Sequence, residues 1–286
     1  MSIIAIANRK GGVGKSTIAT MIAYAISVWD RQRVLVVDLD SQCNASLILL
    51  GGKNWSLARN KSQTIADYFD HRFDNIKIDV DEYIFHEVGD IATKGNLPQI
   101  SLIPGSVEFE DIEHELLYRT IKKTADLAQA EAGVVGRMAV MLENLKRNYP
   151  ILIFDCPPGL SFATRAALKI ANKIIVPFRP DYVSAFAVDR ISRMIENKSS
   201  LPDVSAIPRE KRRYVTLANF VSTDLAALEL IQDIEDYHPM MKTQIPLDHE
   251  IANAFTWRGN VFRLKRNWGR QVLRSPVRWP KNSTTS

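Results

Sequence analysis

The chain has 286 residues, 24% of them charged and 46% hydrophobic, and carries a formal net charge of +5. That is ordinary for a soluble globular protein and suffices for one large α/β domain or two modest ones. No run of 18 apolar residues and no signal peptide stands in the chain, which points to the cytoplasm, and two cysteines, Cys43 and Cys156, exclude a four-cysteine metal site and a disulfide framework.

Ile3 to Ala7 is a short apolar run that reads as a buried strand. Lys10-Gly11-Gly12-Val13-Gly14-Lys15-Ser16-Thr17 follows, a variant phosphate loop in which Lys10 stands where the first glycine is usual. Glycines without a Cβ let backbone N–H groups turn inward onto phosphate oxygens, and the positive end of the next helix adds to the attraction. Lys15 is placed to reach the β- and γ-phosphates, and Ser16 to put its hydroxyl on Mg²⁺. Ile18, Met21, Ile22, Ala25, Ile26 and Trp29 fall on one helical stripe. Arg33 to Asp38 is a second strand, and strand–helix–strand at this spacing predicts a parallel sheet. It runs into Asp38-Leu39-Asp40, carboxylates at the ligand edge of such a sheet that suit metal and water handling; capping of the next segment is the alternative for one of them.

From Gly51 to Gln99 the signals weaken, apart from a short helix over Thr64 to Phe73. Ile100 to Pro104 reads as a strand. Phe109, Ile112, Leu116 and Leu117 mark a helix running to Thr120 or beyond, broken at Gly133 and Gly136 and followed by one carrying Met138, Met141, Leu142 and Leu145. Ile151 to Asp155 is a strand ending in a carboxylate and the stiff turn Pro157-Pro158-Gly159. Beside a phosphate loop this is a Walker B strand, with Asp155 on Mg²⁺ through water and the turn sensing the γ-phosphate. Lys173 to Pro177 is another strand, with a helix from Val183 to Ile195. Pro202 to Arg213 is a polar loop whose Arg209, Lys211, Arg212 and Arg213 read as solvated, with DNA contact as the alternative. Tyr214 to Asn219 and Thr243 to Pro246 complete the strands. Five histidines show no metal-ligand spacing and read as structural.

The excess positive charge is at one end. Trp257 to Ser286 holds eight Lys or Arg and no Asp or Glu, leaving 29 basic and 32 acidic residues elsewhere. Interleaved with Trp257, Phe262, Trp268 and Trp279, these cations form a footprint for a polyanion. Arg258, Arg263, Lys265, Arg266 and Arg270 are the candidate DNA contacts. Val261, Leu264, Trp268 and Val272 could instead share one helical face against an anionic membrane. Residues 1–275 are expected to form one domain and 276–286 a disordered tail.

Lys10 ahead of the glycines, Asp38-Leu39-Asp40, the Asp155 strand and Ile245-Pro246 together resemble the ParA-type partition ATPases, a deviant Walker group that also contains MinD and the nitrogenase iron protein. The resemblance covers roughly residues 3 to 265. It implies a doubly wound, mostly parallel sheet with helices on both faces, and weak Mg²⁺-dependent ATP hydrolysis. It implies Lys10, Lys15 and Asp40 as catalytic, with Asp40 positioning the attacking water. Nucleotide contacts would come from Lys10 to Thr17 (Lys10, Gly11, Gly12, Val13, Gly14, Lys15, Ser16, Thr17), with Asn219 and Pro246 at the base. Ser16, Asp38 and Asp155 would form the metal shell. It further implies an ATP-bound homodimer in which Lys10 reaches the partner's phosphates, non-specific duplex DNA, a ParB-like adaptor and nucleoid association, with a MinD-like membrane switch as alternative. Three positions depart from the family: Ser41 replaces proline, Leu247 replaces arginine, and Ser222-Thr223-Asp224 replaces a basic residue often used on DNA. The last two departures are why DNA contact is placed on the tail.

Overall fold

A computed structural model describes residues 2–92, 98–145 and 149–248, with the backbone of 262–263. Five apolar runs are too short for helices and too buried for loops, and they form five strands of one sheet: β1 (Ser2–Ile6), β2 (Val34–Asp38), β4 (Ile100–Ile103), β5 (Ile151–Asp155) and β6 (Lys173–Phe178). With β7 (Tyr214–Ala218) they assemble in the order β4-β2-β5-β1-β6-β7, every pair parallel. A separate two-residue pairing joins β3 (Ile91–Ala92) to β8 (Phe262–Arg263). Parallel strands buried on both faces need a helical layer on each side. Helices α1 (Lys15–Ala25) and α2 (Asn44–Asn60) cover one face. The other is covered by α3 (Ile65–Phe73), α4 (Phe109–Thr124), α5 (Leu127–Asn144), α6 (Phe162–Ile170), α7 (Tyr182–Ile195), the short α8 (Leu201–Ser205) and α9 (Leu225–Tyr237). The expected doubly wound α/β architecture is what forms. No helix among the described residues is long and apolar enough to cross a membrane.

The sheet's outer strands are flanked by single bridges. Phe85 and Leu102 exchange both backbone bonds beside β4, at 2.8 and 2.9 Å. Beside β7, Thr216 bridges Met240 and Val221 bridges Pro246. The strand expected over Thr243 to Pro246 is reduced to that bridge and its neighbouring bonds, because Pro246 has no N–H to continue a ladder.

Several local expectations are corrected. The stripe through Trp29 breaks because Ile26–Asp30 is a π-turn, whose wider winding turns Ser27 inward and leaves Trp29 44% exposed. The signal lost at Gly51 is a kink, φ 75°, inside α2, which runs on to Asn60. The helix break lies at Ala125, in left-handed backbone, and Asp126, which caps α5, rather than at Gly133 and Gly136. A Cβ on Gly133 would stand 3.7 Å from Thr120, an ordinary contact distance, so the interior of α5 has room for a side chain there. The basic loop is not simply solvated. Arg212 is buried and donates to the carbonyls of Ile207 and Ser205 at 2.9 and 3.2 Å, and Arg213 donates to those of Leu168 and Ala171 at 2.6 and 2.9 Å. Those two guanidiniums are committed to the carbonyls that helix ends leave over.

Candidate functional site

Because every strand of the large sheet runs the same way, the C-terminal ends of β1, β2, β5, β6 and β7 share one edge. The loop from Asn8 to Gly14 crosses that edge between β1 and α1. Gly12 and Gly14 sit at φ 71° and 86°, the left-handed region where only glycine is unstrained. Gly14 has a second reason: a Cβ there would lie 2.3 Å from Asn219 Nδ2. The loop opens onto a cleft of about 790 Å³ lined by Gly11, Gly12, Gly14, Lys15, Ser16, Thr17, Asp40, Pro158 and Phe220, together with Asn44, Leu47 and Ile48 of α2.

Lys15 is 6% exposed, and its Nζ donates to Lys10 O at 3.3 Å. Burial lowers its pKa, opposed by the negative potential of Asp155 and Asp40. Asp155 has no exposed surface, and neither of its carboxylate oxygens accepts a hydrogen bond. Burial first, then the charge of Asp38, raises its pKa well above the carboxylate range, with the Ser16 hydroxyl beside it working the other way. A buried carboxylate without donors is costly alone and suited to a cation. Mg²⁺ takes one or two carboxylates and keeps waters and phosphate oxygens as its other ligands, so Asp155 with Ser16 fits that ion. Among the described residues no group of three His, Cys, Asp or Glu forms a self-contained metal cage.

Asp38 is different. Ser46 donates to its Oδ2 from both N–H, at 2.8 Å, and Oγ, at 2.6 Å, while Asp40 N–H donates to Oδ1 at 3.2 Å. Burial pushes its pKa up to about 7. These bonds tie Asp38 to the first turn of α2 and to the loop carrying Asp40. Asp40 Oδ1 accepts from Gln42 N–H at 2.9 Å, and its side chain borders the cavity beside the phosphate loop.

Lys10 is held within its own chain. Its Nζ lies 2.7 and 2.6 Å from the two oxygens of Asp181 and 3.3 Å from Ser184 Oγ. Asp181 also caps α7 by accepting Ser184 N–H at 2.8 Å. Partial burial would raise its pKa, but Lys10 and the cap together hold it below the usual carboxylate range. Next to this pair Tyr182, Val183 and Phe186 are 75, 65 and 74% exposed. Asp181 was not singled out from the sequence; an Asp before a helix is a common cap, and its lysine lies 171 residues away.

Asn219 follows β7 and donates from Nδ2 to Val13 O at 2.9 Å, which joins the strand to the phosphate loop. Pro246 stands one bridge away, beside Val221. The site thus brings together Lys10 to Thr17, Asp38, Asp40, Asp155 and Asn219. Arg258, Lys265, Arg266 and Arg270 lie outside the described residues, and Arg263 is described only as backbone of β8. Two of the described histidines are structural as expected: His71 meets Tyr83 at 2.5 Å, and His238 lies between Tyr214 and Asp189 at 2.8 and 2.9 Å.

With that geometry in place, the sequence matches the AAA domain family AAA_31 over residues 1–202. Among curated proteins it is 27% identical to the sporulation initiation inhibitor protein Soj of Bacillus subtilis over 259 residues, covering 88% of this chain and 87% of that one. It is 28% identical over 198 residues to a protein of Rhizobium rhizogenes named as a replication protein A, covering 69% of this chain. The chain spans 45% of that relative's length. A plasmid partition protein of Borrelia burgdorferi, solved with bound AMPPNP, superposes with a TM-score of 0.65 at 18% identity, covering 95% of both chains.

Proposed function

The chain belongs to the AAA_31 family of AAA domains, in its ParA/MinD branch, and from that premise we propose that it is a ParA-type ATPase that couples ATP binding to dimerisation and DNA binding to position a cargo. The observation that carries this reading is Asp155, a buried carboxylate with no hydrogen-bond partner, set next to Lys15 and Ser16, which themselves line the glycine-rich cavity. Backbone N–H groups of Gly11 to Thr17 bind the triphosphate, and Lys15 neutralises its β- and γ-oxygens. Asp155 and Ser16 would hold Mg²⁺, which would supply further charge neutralisation to the triphosphate. Asp40, one oxygen fixed by Gln42, uses the other to orient a water for in-line attack on the γ-phosphorus. The bond to the bridging oxygen breaks, giving ADP and phosphate. Asp38 serves this step indirectly, by fixing the loop that carries Asp40.

Lys10 completes the site of a second subunit once it exchanges Asp181 for that subunit's phosphates, which would tie association to ATP. The exposed Tyr182, Val183 and Phe186 supply apolar surface around it for such a contact. Arg258, Arg263, Lys265, Arg266 and Arg270 provide non-specific DNA contact on the nucleoid, doubled in the dimer, and a ParB-like adaptor stimulates hydrolysis. The tryptophans among those cations favour one second reading, a MinD-like membrane switch; pelleting with anionic liposomes against a shift of random duplex DNA, each with ATP and ADP, separates the two. The hydrolytic reading is tested by Lys15→Ala, expected to abolish nucleotide binding, and Asp40→Ala, expected to bind ATP but not turn it over. Turnover at the parent rate in Asp40→Ala would remove Asp40 from the reaction.

A further inference from the structure

The phosphate loop, Lys15 and Asp155 account for the triphosphate end of a nucleotide and leave its base without a platform. The resemblance places the base on Asn219 and Pro246, but Asn219 is already engaged. It is 4% exposed, its Nδ2 donates to Val13 O at 2.9 Å, and its Oδ1 accepts Phe220 N–H at 3.0 Å. Buried and bonded on both sides, the amide braces the phosphate loop against the end of β7.

Phe220 is the residue that this bracing presents. It sits at φ 56°, a conformation bulky side chains rarely adopt and one that concentrates at ligand sites. Its ring reaches the cavity wall, with Cε2 3.5 Å from where a Cβ on Gly14 would stand. Among the described residues lining the cavity it is the aromatic one, and it is only partly buried. The Arg179 guanidinium lies 6.0 Å from the ring centroid, a cation–π distance that helps fix the ring. A flat apolar surface beside the glycine that ends the phosphate cradle is what a base needs, because the ribose separates base and phosphates by only a few bonds.

We propose that Phe220 is the stacking platform for the nucleobase, and so the residue that sets base preference at this site. The proposal rests on the nucleotide-binding reading above. Stacking reads the π-face and not the hydrogen-bonding edge, so a purine with its larger face is favoured over a pyrimidine, and adenine is separated from guanine only weakly.

The test measures binding of ribose-labelled fluorescent ATP to the full chain with Mg²⁺, competed by ATP, CTP and inorganic tripolyphosphate. A parent that binds none of these would overturn the nucleotide reading and the proposal together. Given a binding parent, Phe220→Ala is expected to weaken ATP by about 5- to 150-fold, the span of base–aromatic stacking, and to leave tripolyphosphate unchanged. Phe220→Trp is expected to keep ATP tight. Equal losses for ATP and tripolyphosphate would show that the ring only braces Gly14, and an unchanged ATP affinity would show that the base lies elsewhere; either overturns the proposal. Phe220→Leu retains apolar bulk against Gly14 if the alanine variant does not fold, and it is expected to lose the preference for ATP over CTP. Quenching of ethenoadenosine triphosphate by the parent and not by Phe220→Leu is the matching spectroscopic sign, and equal quenching in both would overturn the stacking role.

Discussion

β2 and β5 lie side by side and end in register, Asp38 opposite Asp155, both without solvent exposure, yet their two carboxylates are treated in opposite ways. Asp38 arrives with its own donors, because the loop after β2 folds back onto Ser46 at the start of α2. Asp155 receives none. The chain after it is Cys156-Pro157-Pro158; the Cys156 N–H is committed to Ile6 O, and the prolines have no N–H to give. Burial alone therefore does not mark a working carboxylate. What marks it is burial next to a turn that cannot satisfy it, so that its partner must come from outside the chain.

The largest effect that could break this comparison is on turnover. Asp155→Ala should lower Mg²⁺-dependent hydrolysis by a factor of ~100 or more, while Asp155→Asn should leave the ligand-free protein about as stable as the parent, because the buried carboxyl has no hydrogen bond within the chain to lose. A large loss of stability in Asp155→Asn would mean that Asp155 is structural like its neighbour. Asp38→Ala should behave in the opposite sense, stranding the donors of Ser46 and Asp40 and lowering the unfolding free energy by about 3 kcal/mol in urea titrations. The pH dependence follows from the same burial. Asp38 is pushed up to about 7, as is Glu113, whose carboxyl accepts Ala163 N–H at the start of α6. Folded carboxyls with raised pKa values hold protons that the unfolded chain releases, so stability is full below about pH 4 and is lost as pH rises through 7. The ligand-free protein should lose on the order of 5 kcal/mol between pH 5 and pH 8, followed by thermal unfolding, and Glu113→Gln should roughly halve that fall. The smallest effect concerns Lys10, a charge satisfied within its chain by a partly exposed partner. Asp181→Asn should tighten ATP-dependent dimerisation by a few-fold, since such pairs contribute about 0.2–1 kcal/mol. Weaker dimerisation, measured by light scattering, would show that Asp181 supports the interface rather than competing with it.

Much of this site is legible in the sequence because its signals are local. Gly11 to Thr17 follow a strand and open a helix within fifteen residues of one another, and Asp38 and Asp155 end apolar runs that could only be strands. The two carboxylates could not be told apart that way, since the donors to Asp38 come from a turn whose fold-back no local pattern announces. Gly133 and Gly136 are poor guides because a glycine inside a helix costs only about 1 kcal/mol, which the rest of an 18-residue helix can absorb. Trp29 misled because a π-turn adds a residue without a sequence mark. Arg212 and Arg213 read as surface charge in the sequence because the helix ends that accept their hydrogen bonds, at Tyr237 and Leu168, are distant along the chain.

The bridges that flank the sheet also bear on how this chain can associate. An open strand at either margin would offer unsatisfied amides to any extended peptide, another copy included, and such pairing propagates without limit. Here Phe85 occupies the margin at Leu102, and Pro239, Met241 and Ile245 meet the amides and carbonyls of β7. Pro246 then ends the row with a residue that cannot donate. Among the described residues both margins are occupied, so association of this chain is directed away from fibrous, irreversible strand pairing and toward surfaces formed by loops and helix ends, where release remains easy.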